Sequence, residues 1–434
     1  MTDTVQILCT NDFSGAWDPS PTHSGELPGG KGLRNTIERL SKAAPSVWVD
    51  VGDLATGGPL AVVDHGRTAW QAADSLGIDI AVPGNHEFDW GIDRFVDLAR
   101  ASHMTYLCAN AKLGLPPTRI VNTAVGPVGF IGLTYPDLAS ISPDLSVLDQ
   151  PPMREVVADH ARDLRQAGAV VIIAAIHDGV DQPGKPTFLG DWHSEVDAVI
   201  AGHTLWPTIE EHHGVPVCQP APYGAEVGVL ELRTGQPINC YAVAVTGEGY
   251  WDGPGAEVLK EAREEVIGAS ALSLRSTLSR PNELLDALAR TAVRLTEADA
   301  AIVSLWDCFV TQPVTEGVVT YLPDGPFTRA DLMRYSPHAD EPIHTVELSS
   351  AQFEAAQKLS EIPFLPTLGL ATPTGGARNP VRVAASMRQT QAYAAALGVT
   401  AMPCQRGGRT VTLRDVWLAT IAGGLRATVE SARA

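Results

Sequence analysis

The 434-residue sequence lacks a long apolar run, paired cysteines and a surplus of positive charge. No run reaches the roughly 18 apolar residues of a membrane-spanning helix, so the sequence predicts no membrane contact. The six cysteines are scattered without a CxxC pair, which argues for reduced thiols and against a zinc ribbon or disulfide framework. The net charge of −19 disfavours nucleic acid and anionic membranes as partners, although a metal ion could still attract a phosphate group.

The N-terminus lacks the basic segment and apolar stretch of a secretory signal, so we expect a cytoplasmic protein unless a leader was trimmed. A hydrophobic content of 44% and a charged content of 19% are typical of a globular protein. The chain is too long for one ordinary core, and we expect two domains. The break near Tyr250–Gly255 and the charged helical pattern after it predict a domain over 1–248, a linker helix over 249–275 and a second domain over 276–434.

The most informative stretch is Val82–Gly91, which reads VPGNHEFDWG. Gly84 permits a sharp turn after a predicted strand, and Asn85 and His86 then project from the strand end. Asp89 lies three residues beyond His86, where its carboxylate can orient the imidazole. A lone Asn-His pair is more often a turn with a surface histidine, so this motif needs partners elsewhere in the chain.

Such partners occur at the ends of other predicted strands. Strands over 5–10, 47–51, 76–82, 169–176 and 196–201 alternate with helices, which predicts helices packed on a parallel or mixed sheet. The side chains that follow these strands are Asp12, Asp53, Asn85, His177 and His203. Carboxylate, amide oxygen and imidazole together suit Mn, Zn, Fe or Ni, so we predict a divalent transition metal.

The chain resembles the 5′-nucleotidase family of calcineurin-like metallophosphoesterases. The segments that carry this resemblance are CTND (9–12), VGD (51–53), GNHEFDWG (84–91), IH (176–177), AGHT (201–204) and QPAPYG (219–224). The match is strong over about residues 5–245 and weaker beyond. It implies an α/β fold: a four-layer β-sandwich phosphoesterase domain flanked by helices, followed by a C-terminal α/β substrate-binding domain.

The resemblance also implies roles for individual residues. Asp53 would bridge two metals, and Asn85, His177 and His203 would complete one of the two sites. The pair of His86 and Asp89 would stabilise the transition state and help protonate the leaving group.

The other metal site departs from the family pattern. Ser14 replaces the histidine of the family's Asp-x-His, and Leu205 replaces the second histidine of Gly-His-Thr-His. Asp12 and a shared Asp53 would make a weak site, because a tight zinc-type site needs about three protein ligands. Asp178, beside His177, is the candidate substitute ligand for this site. We therefore expect one firmly bound metal and regard a second as doubtful.

The functional motifs of the family's second domain are altered as well. SLWDCF (304–309), PHAD (337–340) and SMRQTQ (386–391) stand where the family holds the phosphate and clamps the base. A different pocket is predicted from these segments, and its candidate substrate contacts are Trp306, Phe309, Tyr335, His338 and Asp340. Core packing is the alternative for each aromatic residue and for His338.

The leading hypothesis is a metal-dependent hydrolase, most simply a phosphomonoesterase, of a small phosphorylated molecule such as an unusual nucleotide or sugar phosphate. We expect an intracellular role in a specialised biosynthetic pathway. One alternative is Lewis-acid chemistry on a non-phosphate bond, and another is a catalytically silent ligand-binding protein. The sequence leaves the native metal, the substrate and the oligomeric state open.

Overall fold

A computed structural model describes residues 4–141, 143–180, 192–247, 249–278, 282–304, 309–314, 316–360, 368–371 and 380–424. Across these ranges, every helix is too short or too polar to cross a membrane.

The chain divides into two compact units. The N-terminal unit comprises Met1–Ser20 and Glu26–Leu259, and the C-terminal unit comprises Pro21–Gly25 and Lys260–Ala434. The predicted limits of 1–248, 249–275 and 276–434 differ from this division and stay a prediction.

Strands and helices alternate over much of the N-terminal unit. The strands before Leu259 are β1 (Thr4–Thr10), β2 (Ser20–Thr22), β3 (Gly25–Leu27), β4 (Ser46–Asp50), β5 (Ile80–Ala81), β6 (Thr105–Tyr106), β7 (Thr118–Thr123), β8 (Gly126–Leu133), β9 (Val171–Ile176), β10 (Ala198–Ile200), β11 (Thr208–His212), β12 (Val215–Gln219), β13 (Glu226–Arg233) and β14 (Asn239–Ala244). Most of β2 and the first residue of β3 belong to the segment Pro21–Gly25, which is part of the C-terminal unit. The helices are α1 (Gly29–Ala43), α2 (Gly58–Val62), α3 (Arg67–Asp74), α4 (Ile92–Ala101), α5 (Leu138–Ile141), α6 (Met153–Gln166) and α7 (Ala256–Glu264).

Two mixed six-stranded sheets form the core of this unit. Their strand orders are β14-β13-β1-β4-β5-β6 and β11-β12-β10-β9-β8-β7. Apolar side chains of both sheets, such as Val49 and Ile173, pack in one cluster between them. Leu8 and Trp48 on the opposite face of the first sheet are also buried, and α6 packs on the outer face of the second sheet. The predicted sandwich with covering helices is therefore confirmed.

The parallel strands bring the predicted ligands to one edge of the sandwich. In the first sheet β1, β4 and β5 run parallel, and in the second β9 and β10 run parallel. Asp12, Asp53, Asn85, His177 and His203 each follow the carboxyl end of one of these strands. Ligand sites of α/β folds lie at this edge because the loops after parallel strands meet there.

The C-terminal unit is built on a smaller mixed sheet of order β21-β17-β22-β20-β23. Its strands are β15 (Val266–Ser270), β16 (Leu274–Thr277), β17 (Ala300–Ser304), β18 (Val318–Leu322), β19 (Gly325–Thr328), β20 (Ile343–Leu348), β21 (Leu368–Ala371), β22 (Val381–Ser386), β23 (Ala401–Pro403), β24 (Gln405–Arg406) and β25 (Arg409–Thr410). Its helices are α8 (Glu283–Thr296), α9 (Arg329–Tyr335), α10 (Ser350–Leu359), α11 (Met387–Leu397) and α12 (Leu413–Ala419), followed by a π-helical turn (Thr420–Gly424).

Two elements differ from the sequence expectation. The strand predicted over 76–82 is reduced to Ile80–Ala81, because its first residues complete the turn after α3. The helix predicted within 249–275 ends at Glu264, since Val266–Ser270 pairs with Gly325–Thr328 as a strand. Backbone hydrogen bonds to a distant strand thus override a local helical pattern.

Candidate metal centre

Three potential ligand atoms lie close to Nε2 of the fully buried His177 imidazole, which is itself a fourth. Its Nε2 lies 3.2 Å from Asn85 Oδ1, 3.3 Å from Asp53 Oδ2 and 3.2 Å from His203 Nδ1. All four side chains are buried, and they come from loops that are far apart in sequence. The predicted set of Asp53, Asn85, His177 and His203 therefore lies together in the structure.

The orientation of His177 is fixed by the backbone. Its Nδ1 lies 2.6 Å from the carbonyl oxygen of Val51 and donates its proton there. In the neutral ring this leaves the lone pair on Nε2, which faces the other three side chains. A second-sphere hydrogen bond of this kind is how proteins select the metal-binding tautomer of histidine.

Two glycines allow the loops to approach this closely. A Cβ on Gly84 would lie 2.2 Å from Asp53 Oδ1 and 2.7 Å from His177 Cε1. A Cβ on Gly52 would lie 2.4 Å from the amide nitrogen of Gly84, and Gly52 also has a φ of +98°. The centre therefore excludes a side chain at either position.

Three of the acidic and imidazole residues adopt left-handed backbone conformations, which side chains disfavour. The φ angles of Asp12, Asp53 and His203 are 46°, 55° and 68°. Tight hydrogen bonds hold the first two loops together: Asp12 N–H donates to the Gly52 carbonyl at 3.0 Å, and Ser14 N–H donates to the Asp53 carbonyl at 2.9 Å. Local strain of this kind concentrates at functional sites.

Glu87 is a site residue that the sequence reasoning missed. Its buried carboxylate accepts the backbone N–H groups of Asp53 and Leu54, both at 2.8 Å, and of Gly84 at 2.6 Å. It thereby joins the loop after β4 to the turn after β5. The sequence offered one sign of this role: Glu87 lies next to His86, within a motif of candidate ligands, where an acidic residue that only faces solvent is not expected.

The charges of the centre depend on one another. Burial alone would lower the pKa of His177, but the carboxylates of Asp53, Asp12 and Glu87 raise it to about 10. Burial opposes ionisation of Asp53, yet the imidazoles of His177 and His86 leave its pKa below the usual range. Burial raises the pKa of Asp12 to about 6. A proton on His177 thus balances the buried carboxylates, and a divalent cation could replace it.

The donor set fits a divalent transition metal. Among the described residues, Asp53, His177 and His203 are the one group of three acidic, histidine or cysteine side chains whose ligand atoms all lie within 4.8 Å of one another. The amide oxygen of Asn85 adds a fourth donor beside them. Two imidazoles and two oxygens match what Mn, Zn, Fe or Ni accept.

The weakly predicted ligand Asp12, the substitute Asp178 and the two positions without a family histidine, Ser14 and Leu205, make other contacts. Asp12 Oδ2 accepts the His203 N–H and the Asn11 amide, both at 2.8 Å. The Ser14 hydroxyl donates to the backbone carbonyl of Asp53 at 3.3 Å, and Leu205 is buried. Asp178 Oδ1 accepts the Gly179 N–H of its own loop at 2.8 Å.

His86 and Asp89 form the predicted pair beside the ligands. Nδ1 of His86 lies 3.0 Å from Asp89 Oδ2, which also accepts the Thr56 hydroxyl at 3.1 Å. The backbone N–H of His86 donates to Asp53 Oδ1 at 2.9 Å. The imidazole is half-buried, so an oriented proton carrier lies next to the metal ligands.

The predicted substrate contacts of the C-terminal unit have mixed outcomes. Tyr335 belongs to the core: its ring is buried, stacks on Trp417 at 5.8 Å, and its hydroxyl donates to the Tyr321 carbonyl at 2.8 Å. These contacts favour core packing, the alternative stated for this residue, and its role as a substrate contact stays a prediction.

The other members of that predicted set stay predictions. The rings of Phe309 and His338 lie 6.0 Å apart in an edge-to-face arrangement. Asp340 is 74% exposed and forms an ion pair with Arg414 at 2.9 Å. Trp306 lies outside the described residues.

Comparison with known proteins identifies the class of this domain. Residues 7–207 match the family model of the calcineurin-like phosphoesterases. The chain therefore contains a calcineurin-like phosphoesterase domain, and its homologues include 5′-nucleotidases.

Individual relatives match the chain in part. The endonuclease YhcR of Bacillus subtilis is 24% identical over 267 residues, which are 53% of this chain and 22% of that protein. A snake venom 5′-nucleotidase of Gloydius brevicauda is 30% identical over 221 residues, which are 46% of this chain and 37% of that protein. The chain thus spans well under half the length of these relatives.

The overall fold resembles a two-domain nucleotidase structure along nearly its whole length. The 5′-nucleotidase precursor of Thermus thermophilus aligns with a TM-score of 0.77 at 17% identity, covering 96% of each chain. The predicted fold class is confirmed by this likeness.

We expect metal binding to strengthen with rising pH. His177, with its pKa raised to about 10, must lose its Nε2 proton to become a ligand, so binding releases protons at neutral pH. Affinity for Mn²⁺ should rise about tenfold per pH unit for each proton displaced. Calorimetry in buffers of different ionisation enthalpy between pH 6 and 8 measures both quantities, and pH-independent affinity would contradict the assignment of His177.

We also expect Glu87→Gln to weaken metal binding, although Glu87 is not a proposed ligand. The amide accepts fewer backbone N–H groups than the carboxylate, so the Asp53 loop should lose its fixed position. A loss of about 10- to 100-fold in affinity is typical for such supporting residues. Glu155→Gln on the exposed face of α6 is the control, and equal affinities in both variants would remove Glu87 from the site.

Proposed function

We propose that this protein is a metal-dependent phosphoesterase that hydrolyses a phosphomonoester of a small metabolite. The observation that carries the proposal is the convergence of Asp53, Asn85 and His203 on His177 Nε2 beside the His86–Asp89 pair. A scaffold that only binds a ligand has no need of an oriented imidazole next to a buried donor set.

The metal would be held by Asp53, Asn85, His177 and His203. A divalent cation there would supply positive charge to the phosphoryl oxygens and lower the pKa of an attacking water. The chain contributes the orientation of these donors, through the Val51 carbonyl on His177 and the Glu87 carboxylate on the Asp53 loop.

His86 would act on the leaving group. Asp89 accepts the proton on Nδ1, so Nε2 is the ring atom available to give a proton to the departing alkoxide. The carboxylate also stabilises the imidazolium form, as an orienting carboxylate does in other hydrolases. His86 is in our proposal a general acid, and Asp89 positions it.

The substrate class is proposed from chemistry and from relatives together. The names of several relatives describe them as 5′-nucleotidases, which supports a nucleotide or a similar sugar phosphate as the substrate. We further propose a single firmly bound metal, because Ser14 and Leu205 offer no imidazole and Asp12 Oδ2 is engaged by two N–H groups.

The first test separates metal binding from chemistry. We expect about one Mn or Zn per chain, lost in His177→Ala, since a tight site needs about three protein ligands. His86→Asn should keep that metal and lower kcat for p-nitrophenyl phosphate about 10²- to 10⁴-fold, the usual contribution of a general acid. The exposed His103→Asn is the control. The absence of bound metal from the wild-type protein would refute the proposed function. An unchanged kcat in His86→Asn would refute it as well.

The second test restores the missing imidazoles. The combined substitution of Ser14→His and Leu205→His should raise the metal content from about one to about two per chain. Hydrolysis of generic phosphomonoesters should increase with it, because a second cation clamps the transferring group. A content of two in the unaltered protein would contradict the single-metal proposal, and a second metal without faster hydrolysis would contradict the phosphomonoesterase assignment.

A further inference from the structure

Thr56 connects the loop that carries Asp53 to the proposed general acid. It lies three residues after Asp53, between β4 and α2, and it is 4% exposed. Its hydroxyl donates to Asp89 Oδ2 at 3.1 Å, and the same oxygen lies 3.0 Å from Nδ1 of His86. A continuous chain of hydrogen bonds therefore runs from Thr56 through Asp89 to the imidazole.

The turn that contains His86 and Asp89 brings the two residues together but leaves the carboxylate orientation open. His86–Phe88 forms one short helical turn, and the Asp89 N–H donates to the His86 carbonyl at 3.2 Å. The torsion that orients an aspartate carboxylate has a broad, nearly twofold preference. The Asp89 side chain is 12% exposed, so water competes for its oxygens. The Thr56 hydroxyl holds one of these oxygens from a separate loop, and the branched threonine side chain has few rotamers to lose.

The position of Thr56 is supported in turn by the loop after β1. A Cβ on Gly15 would lie 2.2 Å from the Gly57 carbonyl oxygen and 2.9 Å from the Thr56 carbonyl oxygen. The Ser14 N–H donates to the Asp53 carbonyl at 2.9 Å. The turn in which Ser14 replaces the family's histidine thus packs directly against the loop that carries Thr56.

An oriented imidazole is needed where the proposed reaction releases its leaving group. As the P–O ester bond breaks, the departing oxygen takes the proton from His86 Nε2, and the neutral ring keeps its Nδ1 proton on the Asp89 carboxylate. Misplacement of a reacting group by about 1 Å can slow such a step about 100-fold. The orientation of the Asp89 carboxylate therefore affects the rate of this proton transfer.

We propose that Thr56 is a positioning residue for the His86–Asp89 pair. Its hydroxyl orients the Asp89 carboxylate, and the carboxylate orients the imidazole toward the leaving group. This inference rests on the proposed phosphoesterase function and adds a residue to it that contacts neither the predicted metal ligands' donor atoms nor the imidazole. One loop then places both Asp53, a predicted metal ligand, and the support of the proton donor.

Hydrolysis of three phosphomonoesters by the Mn²⁺-loaded protein tests the inference. Leaving groups that are poorer depend more on protonation, in the order 2,4-dinitrophenyl, p-nitrophenyl and phenyl phosphate. Thr56→Val removes the hydroxyl and keeps the side-chain shape. We expect its kcat to fall about tenfold for phenyl phosphate and about twofold or less for 2,4-dinitrophenyl phosphate, with KM unchanged, within the usual effect of one hydrogen bond. Thr56→Ser, which keeps a hydroxyl, should restore kcat.

The matched control is Thr68→Val. The Thr68 hydroxyl also donates to an aspartate carboxylate, that of Asp64, at 2.7 Å, but this pair lies outside the candidate centre. Its kcat should equal that of the unaltered protein for all three esters. Unfolding midpoints of the variants confirm that each is folded.

A second readout needs neither metal nor substrate. Long-range ¹⁵N NMR spectra of the metal-free protein report which nitrogen of a histidine ring carries the proton, and the His86 signals are identified by their loss in His86→Asn. We expect the Nδ1-protonated form of the neutral ring in the unaltered protein and in Thr56→Ser. Thr56→Val should shift the ring toward a mixture of both tautomers, because its carboxylate partner is less well oriented.

The outcomes separate this inference from the proposed function. An equal loss of kcat for all three esters in Thr56→Val, no recovery in Thr56→Ser, or an unchanged His86 tautomer would overturn the role of Thr56 while leaving the hydrolase assignment in place. Absence of hydrolysis by the unaltered protein would refute the proposed function, and the NMR spectra would still decide whether Thr56 orients the imidazole.

Discussion

The buried carboxylate of Asp53 is the constraint on which the candidate centre depends. A carboxylate removed from water needs compensating charge and hydrogen bonds. Asp53 receives them from the His86 N–H and from the His177 imidazole, while its own N–H is held by Glu87. The loops that follow β4, β5 and β9 thereby contact a single side chain. The strand ends of both sheets must therefore keep fixed positions relative to each other.

This constraint explains the backbone around it. The loops must approach closely enough for one carboxylate to contact two of them. A Cβ on Gly84 would therefore collide with Asp53 and His177, and a Cβ on Gly52 would collide with the backbone of Gly84. Asp53 itself adopts a left-handed conformation to reach this position. The unfavourable geometry persists because the surrounding hydrogen bonds determine it more strongly than local preference does.

The sequence was sufficient to predict which candidate ligands lie together but not the residues that hold them in place. Strand periodicity and the rule that parallel strands present ligands at one edge predicted Asp12, Asp53, Asn85, His177 and His203 as candidates, and the family resemblance grouped the last four of them in one site. The tautomer of His177 depends on the Val51 carbonyl, 126 positions earlier in the chain, which no local pattern reports. The threefold bonding of Glu87 and the burial of Tyr335 likewise follow from tertiary packing. Tyr335 was predicted as a substrate contact from its residue type, whereas in the structure its ring is buried and stacks on Trp417.

Asp12 and Asp53, the carboxylates at the two predicted metal sites, make different contacts. Asp12 Oδ2 accepts the backbone N–H of His203 and so helps to hold that imidazole near His177. An oxygen that already accepts two N–H hydrogen bonds is a poorer metal ligand than an oxygen that faces other metal-ligand atoms. Burial also raises the pKa of the Asp12 carboxyl to about 6. Ser14 meanwhile links its turn to the Asp53 loop, because its hydroxyl donates to the Asp53 carbonyl. Residues at the position of the second predicted metal site thus support the first predicted site, and this is the basis on which we propose a single firmly bound metal.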